Sequence, residues 1–209
     1  MPVFASAPLI LQETLIFPYL SGAEFARRFK DENPGSVPYA RMPLSTEQVM
    51  HSDRYFVETP DAPTGITLPA PRVGRSLYEN NLGEFETRIL LYEYLNDQAA
   101  AIRGAAGWDG DRYQLIDTGR GEALVWITVW DTSIDAADFF SSLEIGYSKR
   151  FPATRSLAAA GQLRTYRSGE RIIGFASGEV GGRPVVIFTD VPDGVRPDLL
   201  DLSKVTLKE

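Results

Sequence analysis

Hydrophobic and polar positions follow two different periods along this chain, and the change falls near residue 107. Before that point the spacing is helical, and the first helical set is Leu11, Leu15, Phe25 and Phe29. This pattern predicts a helix over Leu9–Lys30. We expect it to be bent, or divided into two short helices, near Phe17, because Pro18 lacks the amide hydrogen that a helix interior needs.

The clearest helical pattern lies in the middle of the chain. Its apolar face consists of Leu82, Phe85, Leu91, Ile89, Tyr92 and Leu95. Asn81 is the expected N-cap, with Glu84 three residues later, and the helix should end near Asn96. The alanine-rich segment Asp97–Ala106 predicts a second short helix.

From Asp111 onward the apolar positions recur every second residue, which indicates strands. Asp111–Thr118 and Glu122–Asp131 form a predicted hairpin with a glycine-rich turn. The second of these strands is apolar on both faces, which is typical of a central strand in a sheet covered on both sides. Thr132 should cap a helix that ends near Pro152. Its apolar face is Phe139, Phe140, Leu143 and Tyr147, and the strands expected after it are Gln162–Arg167, Arg171–Ser177 and Arg183–Asp190.

These elements predict a single α+β domain over residues 1–209. Residues 1–106 form its helical part, and residues 107–192 form a five-stranded, mainly antiparallel sheet with one crossing helix, in the order β-β-α-β-β-β. The tail, residues 193–209, is polar with one helical turn at Asp198–Leu202. Within the helical part, the segment 33–71 holds seven prolines and should be an irregular arm with at most one short helix, which Ser45 would cap. Such an arm lies along its own domain or serves a partner.

Charge and composition narrow the possible functions. The chain has a net charge of -7, one histidine and no cysteine. An acidic chain without a basic stripe is a poor match for nucleic acid. Disulfides, thiolate metal sites and thiol nucleophiles are excluded. The apolar runs are shorter than the roughly 20 residues that a membrane-spanning helix needs.

Few residues in this sequence are candidates for catalysis or ligand binding. His51 stands alone, which favours a structural hydrogen-bonding role over that of a general base. Asp109 and Asp111 could bind a sugar or calcium next to Trp108 and Tyr113. The calcium-loop spacing is incomplete, so a tight turn between helix and strand is the favoured interpretation.

Two further patterns are better explained by structure than by chemistry. Gly104, Gly107 and Gly110 precede a predicted strand, which is the wrong context for a phosphate loop. Trp126 and Trp130 share one face of the central strand and should pack in the core. We therefore predict no catalytic, cofactor-binding or metal-binding residue and no cofactor.

Three ordered segments carry a family resemblance. They are Phe17-Pro18-Tyr19-Leu20-Ser21-Gly22, Ser45-Thr46-Glu47-Gln48 followed by His51, and Gly107-Trp108-Asp109-Gly110-Asp111-Arg112-Tyr113. Together they resemble the C-terminal half of an uncharacterised bacterial family of predicted exported proteins similar to zinc metallopeptidases. The family's His-Glu-x-x-His helix precedes the matched segment and is absent from this sequence. The resemblance implies a metallopeptidase-like remnant and an exported, periplasmic location.

The leading functional expectation is a non-catalytic structural protein, not an enzyme. It would be a periplasmic or membrane-peripheral subunit that contacts other protein subunits of a larger bacterial assembly, such as a respiratory or photosynthetic membrane complex. A cytoplasmic location stays open. One alternative is a metallopeptidase-like enzyme whose catalytic half is missing, which depends on whether Met1 is the true start. Another is a periplasmic small-ligand or glycan binder that uses Trp108, Asp109 and Tyr113.

Overall fold

The computed structural model describes residues 2–152, 154–160 and 163–208. Its α-helices are α1 (Pro2–Ala5), α2 (Leu9–Glu32), α3 (Thr46–Met50), α4 (Ser52–Tyr55), α5 (Gly83–Leu95), α6 (Gln98–Ala105) and α7 (Ser133–Arg150). Its strands are β1 (Gly65–Thr67), β2 (Arg75–Asn80), β3 (Trp108–Asp117), β4 (Glu122–Trp130), β5 (Arg155–Ala160), β6 (Leu163–Ser168), β7 (Arg171–Val180), β8 (Arg183–Pro192) and β9 (Thr206–Lys208). Short 3-10 helices occupy Pro38–Ala40 and Leu202–Lys204.

The predicted α+β class is confirmed, but the predicted count of five strands is wrong. In the described part of the chain the main sheet has seven strands, in the order β2-β3-β4-β8-β7-β6-β5, all antiparallel. Strands β2 and β5 were not predicted because β2 is polar and largely exposed, and β5 is rich in alanine. The predicted first residue of the following strand, Gln162, lies outside the described residues.

Strand β4 lies inside the sheet and is covered on both faces, as its two-sided apolar pattern predicted. On one face Val125, Ile127 and Val129 pack in a core cluster with Ile66 of β1. This cluster also holds Leu199, Leu200 and Val205 from the C-terminal segment, so β1 and that segment form one cover. On the other face Trp126 and Trp130 pack against α5, α6 and α7, which confirms their predicted core position.

Helix α7 begins and packs as predicted. The Thr132 hydroxyl accepts a hydrogen bond from the Asp135 amide at 3.2 Å, and the Asp135 carboxylate accepts one from the Thr132 amide at 3.1 Å. This reciprocal capping box satisfies two amides that the first turn leaves unpaired. The helix then buries its apolar face against the sheet, with Phe139 stacked on Trp130 at 4.6 Å between ring centroids.

Helix α2 continues through Pro18 as one helix of 24 residues, so of the two predicted outcomes the division into two short helices was wrong. A proline in a helix interior removes one backbone hydrogen bond, and here that loss does not end the helix. Phe25 and Phe29 are buried, as the pattern predicts, in a small cluster with Tyr55. Leu11 and Leu15, which were expected on the same apolar face, are 52% and 62% exposed.

The predictions for the arm, the helix cap and the tail also need correction. The segment 33–71 contains α3, α4 and a 3-10 helix, so "at most one short helix" was wrong. Ser45 does cap α3, by accepting a hydrogen bond from the Gln48 amide at 3.1 Å. Asn81 does not cap α5, which begins at Gly83 without a side-chain cap from its own N-cap residue. In the tail, Asp198–Leu202 is not a helical turn; the short 3-10 helix starts at Leu202 and β9 follows.

Candidate functional site

Residues from all three of the segments that carry the family resemblance meet at the start of helix α5. The Phe17 ring lies 4.0 Å from the Phe85 ring, between centroids. The Thr46 hydroxyl accepts a hydrogen bond from the Phe85 amide at 3.2 Å. From the third segment, the carboxylate of Asp111 reaches the same turn of the helix. Residues far apart in the sequence therefore fix one helix end.

Asp111 takes the place of the helix cap that the sequence assigned to Asn81. Its carboxylate accepts hydrogen bonds from the amides of Leu82 and Gly83, both at 2.8 Å, and from the Trp126 ring nitrogen at 2.9 Å. Burial raises the pKa of Asp111, while these donors oppose that rise by favouring the charged form. A carboxylate here also complements the positive end of the helix dipole.

Asp109 has a separate set of partners on the opposite side of the sheet from α5. It accepts hydrogen bonds from the Thr64 hydroxyl at 2.5 Å and from the Arg183 guanidinium at 2.6 Å. Asp109 and Asp111 lie within β3 and not in a tight turn, so that interpretation was wrong. A register shift between Trp108 and Gly110 separates the two carboxylates, because one extra residue reverses the alternation of side chains.

Four charged residues, Glu47, Arg54, Asp61 and Asp131, form what we call the arginine junction. The Arg54 guanidinium lies 3.1 Å from Glu47 and 2.9 Å from Asp131, and it also donates to Asp61. Burial is the main cause that raises the pKa of Glu47 to about 8, against the opposing charge of Arg54. The junction joins the arm to the end of the sheet at Asp131, which directly follows β4.

His51 lies beside this junction and faces Glu84. Its Nε2 atom is 2.9 Å from Glu84 Oε1, and this hydrogen bond raises the pKa of His51. The histidine side chain is 45% exposed, whereas the Glu84 side chain is 5% exposed. Among the residues that the structure describes, no group of three or more histidine, aspartate or glutamate side chains is placed to hold a metal ion.

A cavity of about 350 Å³ lies on the helical side of the sheet. It is lined by Leu82, Leu90 and Tyr94 near or on α5, by Leu143, Tyr147 and Phe151 near or on α7, and by Tyr113, Leu115, Leu124, Trp126, Phe188 and Asp190 on the sheet. Tyr113, Leu115, Leu124 and Phe188 face the helices but are only half-buried. The helices therefore leave this part of the inner sheet surface unfilled.

The cavity includes only part of the site considered from the sequence. Tyr113 lines it, whereas Trp108 is 1% exposed and Asp109 is bound to Thr64 and Arg183. The three therefore do not form one accessible glycan platform. The sequence did not indicate Tyr94, whereas Tyr147, predicted on the apolar face of α7, lies in the core as expected and also lines the cavity. Such cavity-lining residues could have been recognised as tyrosines on the inward face of a helix, because a buried tyrosine hydroxyl needs a polar partner or access to solvent.

Comparisons with known proteins give a family but no function. No curated protein and no solved structure matched the chain. No helix among the described residues is long and apolar enough to cross a membrane. Residues 71–189, more than half of the 209, match a family described as a domain of unknown function (DUF8575). The match includes α5, the β3–β4 hairpin, α7 and most of β8, and thus every strand that lines the cavity. The chain belongs to this DUF8575 family.

Proposed function

We propose that this chain is a non-catalytic protein that binds a small, largely apolar ligand in the cavity between its sheet and helices α5 and α7. The observation that carries the proposal is the cavity itself, at about 350 Å³. Ligand sites are commonly concave, mostly apolar and lined by aromatic side chains with a few polar groups, in volumes of about 300–1,000 Å³. This cavity has that composition, with three tyrosines and Asp190 as its polar groups.

The contacts of the buried charged groups support the non-catalytic part of the proposal. Asp111 holds the start of α5, Asp109 holds Thr64 and Arg183, and Arg54 holds the arm to the sheet. Each of these groups therefore has a role in the fold.

A neutral fluorescent probe tests the proposed cavity directly. N-phenyl-1-naphthylamine should bind saturably at one site per chain, with increased fluorescence. The variant Leu124→Trp places a larger side chain in the cavity and should weaken binding at least about tenfold. The matched control is Leu77→Trp, because Leu77 is an exposed residue of β2 that does not line the cavity. Binding that is non-saturable, or equal in both variants, would contradict the proposal.

A second candidate function, a structural subunit of a larger assembly, is favoured by the exposed surface of α2. Leu11, Leu15 and Tyr19 follow one another at four-residue spacing and are 52%, 62% and 80% exposed. Residues 4–23 contain a single charged side chain, that of Glu13. Exposed apolar stripes of this kind are typical of protein–protein contacts. The partner that fits is an apolar, weakly charged surface of another subunit.

Native electrophoresis of membranes from the source organism tests this second candidate. We expect the chain to migrate with a larger complex, and Leu15→Glu to release it, because a buried charge opposes an apolar contact. Lys30→Glu, at an exposed position near the other end of α2, should leave the complex intact. A chain that migrates as a free monomer before any substitution would rule this candidate out.

A further inference from the structure

A second chamber of about 310 Å³ adjoins the ligand cavity near the start of α2. The two volumes share four lining residues, which are Leu82, Leu90, Tyr94 and Phe151. The second chamber is further lined by Ile10, Glu86, Ile89, Glu93 and Arg150. The first volume is therefore mainly apolar, and the second adds charged side chains to an apolar wall. A ligand that fills both would be apolar at one end and polar at the other.

Glu86 is the charged group in the second chamber that most needs a partner. Its Oε2 atom is buried and has no hydrogen-bond partner among the described residues. Burial is also the main cause that raises the pKa of this carboxyl. A buried carboxylate oxygen without a donor costs free energy, which a bound cation or donor would offset. Asp190 in the first volume differs, because Arg171 already donates to it at 2.6 Å.

The backbone amide of Glu86 donates to its carboxyl, but no other charged side chain of the second chamber forms an ion pair with it among the described residues. Glu93 adds a second negative charge, and Arg150 is the cation that lines the chamber. No ion pair within the described ranges joins Arg150 to either carboxylate, and its guanidinium lies 5.4 Å from the Phe151 ring centroid. The lining of the chamber therefore contains two carboxyl groups and one guanidinium, and within the described part of the chain the guanidinium is paired with neither.

An aromatic wall suited to a cation runs from Tyr94 and Phe151, which line both volumes, to Tyr147 and Phe188, which line the first volume. Phe151 lies 6.0 Å from Tyr94 and 4.6 Å from Tyr147, and Tyr147 lies 6.1 Å from Phe188, all between ring centroids. Burial is the main cause that raises the pKa of Tyr147 to about 12, so its ring stays a neutral phenol at physiological pH. The faces of such rings attract ammonium groups, and the attraction grows when water is excluded.

We infer that the ligand of this cavity is an apolar molecule carrying one protonated or quaternary amine. Its amine lies between Glu86 and the aromatic wall, and its apolar part fills the volume below Leu124 and Phe188. This inference rests on the proposed function, since it names the ligand class for the same cavity. The recognising chemistry is a carboxylate oxygen with no hydrogen-bond partner among the described residues, next to edge-on and tilted aromatic rings.

Two probes of nearly identical shape, one cationic and one neutral, distinguish the contribution of the ligand's charge from that of its apolar contacts. Benzyltrimethylammonium is cationic, and neopentylbenzene replaces its nitrogen by carbon and is neutral. Their affinities are measured at pH 7 by displacement of N-phenyl-1-naphthylamine. The cation should bind at least about tenfold more tightly than the neutral probe. Glu86→Gln should remove most of this preference and leave the affinity for neopentylbenzene within about twofold.

A matched variant and the pattern of results make the test decisive. Glu58→Gln changes an exposed carboxylate of the arm and should keep the full preference for the cation. If neopentylbenzene binds as well as or better than the cation in the unsubstituted protein, the inference is overturned and the proposed function stands. If neither probe displaces N-phenyl-1-naphthylamine and that dye does not bind saturably, both fail. A preference that survives Glu86→Gln would overturn the role of Glu86.

Discussion

Asp111 connects helix α5 to the sheet through three hydrogen bonds to its carboxylate. A single substitution therefore measures what these bonds contribute to the stability of the fold. Replacing it as Asp111→Asn keeps the size of the side chain but places an amide group among three donors. Hydrogen bonds to a charged group contribute about 1.5–3 kcal/mol each, so we expect the free energy of unfolding to fall by roughly 2–4 kcal/mol. Equilibrium urea denaturation followed by circular dichroism measures this change.

The matched control for this prediction lies on the same strand. Asp117 is 41% exposed and 3.4 Å from Arg75, and Asp117→Asn should cost less than about 1 kcal/mol, as exposed ion pairs usually do. Equal losses for the two variants would show that Asp111 contributes no more than a surface carboxylate.

Because Glu47 is buried, the stability of the fold should decrease as the pH rises and this carboxyl loses its proton. Burial raises the pKa of Glu47 from 4.5 to about 8, so the neutral form favours the folded state. The stability that this neutral form provides is fully present below about pH 4.5 and is lost as the pH rises through about 8. Titration of this one group changes the free energy of unfolding by at most about 1.4 kcal/mol per pH unit.

The test is the free energy of unfolding measured from pH 5 to pH 9. Glu47→Gln stays neutral, so its stability should fall less steeply over this range than that of the unsubstituted protein. Glu58→Gln, at an exposed position of the arm, should follow the unsubstituted protein. Parallel curves for Glu47→Gln and the unsubstituted protein would contradict the raised pKa.

At the scale of elements, two helical glycines should respond to alanine in opposite directions. Gly83 opens α5 with φ at +87°, and an added Cβ would lie 2.7 Å from the Thr46 hydroxyl. Gly83→Ala should therefore destabilise the protein by more than about 1 kcal/mol. Gly22 lies inside α2, where the nearest atom would be 3.9 Å away, and Gly22→Ala should stabilise by up to about 1 kcal/mol. Thermal denaturation of both variants checks the opposite signs.

The elements that the sequence predicted correctly carry strong local signals. Strands β3, β4, β7 and β8 contain many apolar residues, and α7 begins with a capping box formed by Thr132 and Asp135. The elements it missed take their stability from their neighbours. Strand β2 is held by pairing with β3, and β5 is held by pairing with β6. Periodicity within a segment does not contain these tertiary contributions.

The candidate site was predictable only in its parts, because it is assembled from distant segments. The apolar faces that include Leu143 and Tyr147 were predicted, but not that these faces stop short of covering Leu124 and Phe188. An empty volume depends on the distance between layers, which residue patterns do not report. The same holds for Asp111, whose partners Leu82 and Gly83 are 29 and 28 residues away.

For the whole molecule, the arginine junction determines how firmly the arm is attached to the sheet. Arg54 and Asp131 are 77 residues apart, and Arg54 is the cation between three carboxylates. Arg54→Gln removes that cation and leaves the side chains of Glu47, Asp61 and Asp131 without the partner that holds them together. Because the main core clusters do not include this arginine, the sheet should keep its packing. The expected result is local opening of the arm while the sheet stays folded.

Hydrogen–deuterium exchange at pH 7 distinguishes local from global opening. In Arg54→Gln, amides of residues 46–64 should exchange faster, while those of β4 and β8 keep their protection. Arg103→Gln, on the exposed face of α6, should change neither region. At pH 9 the effect should grow, since Glu47 then loses its proton and adds a negative charge to the junction. Faster exchange throughout β4 and β8 would show instead that arm and sheet unfold as one unit, and the junction would then belong to the global stability of the fold.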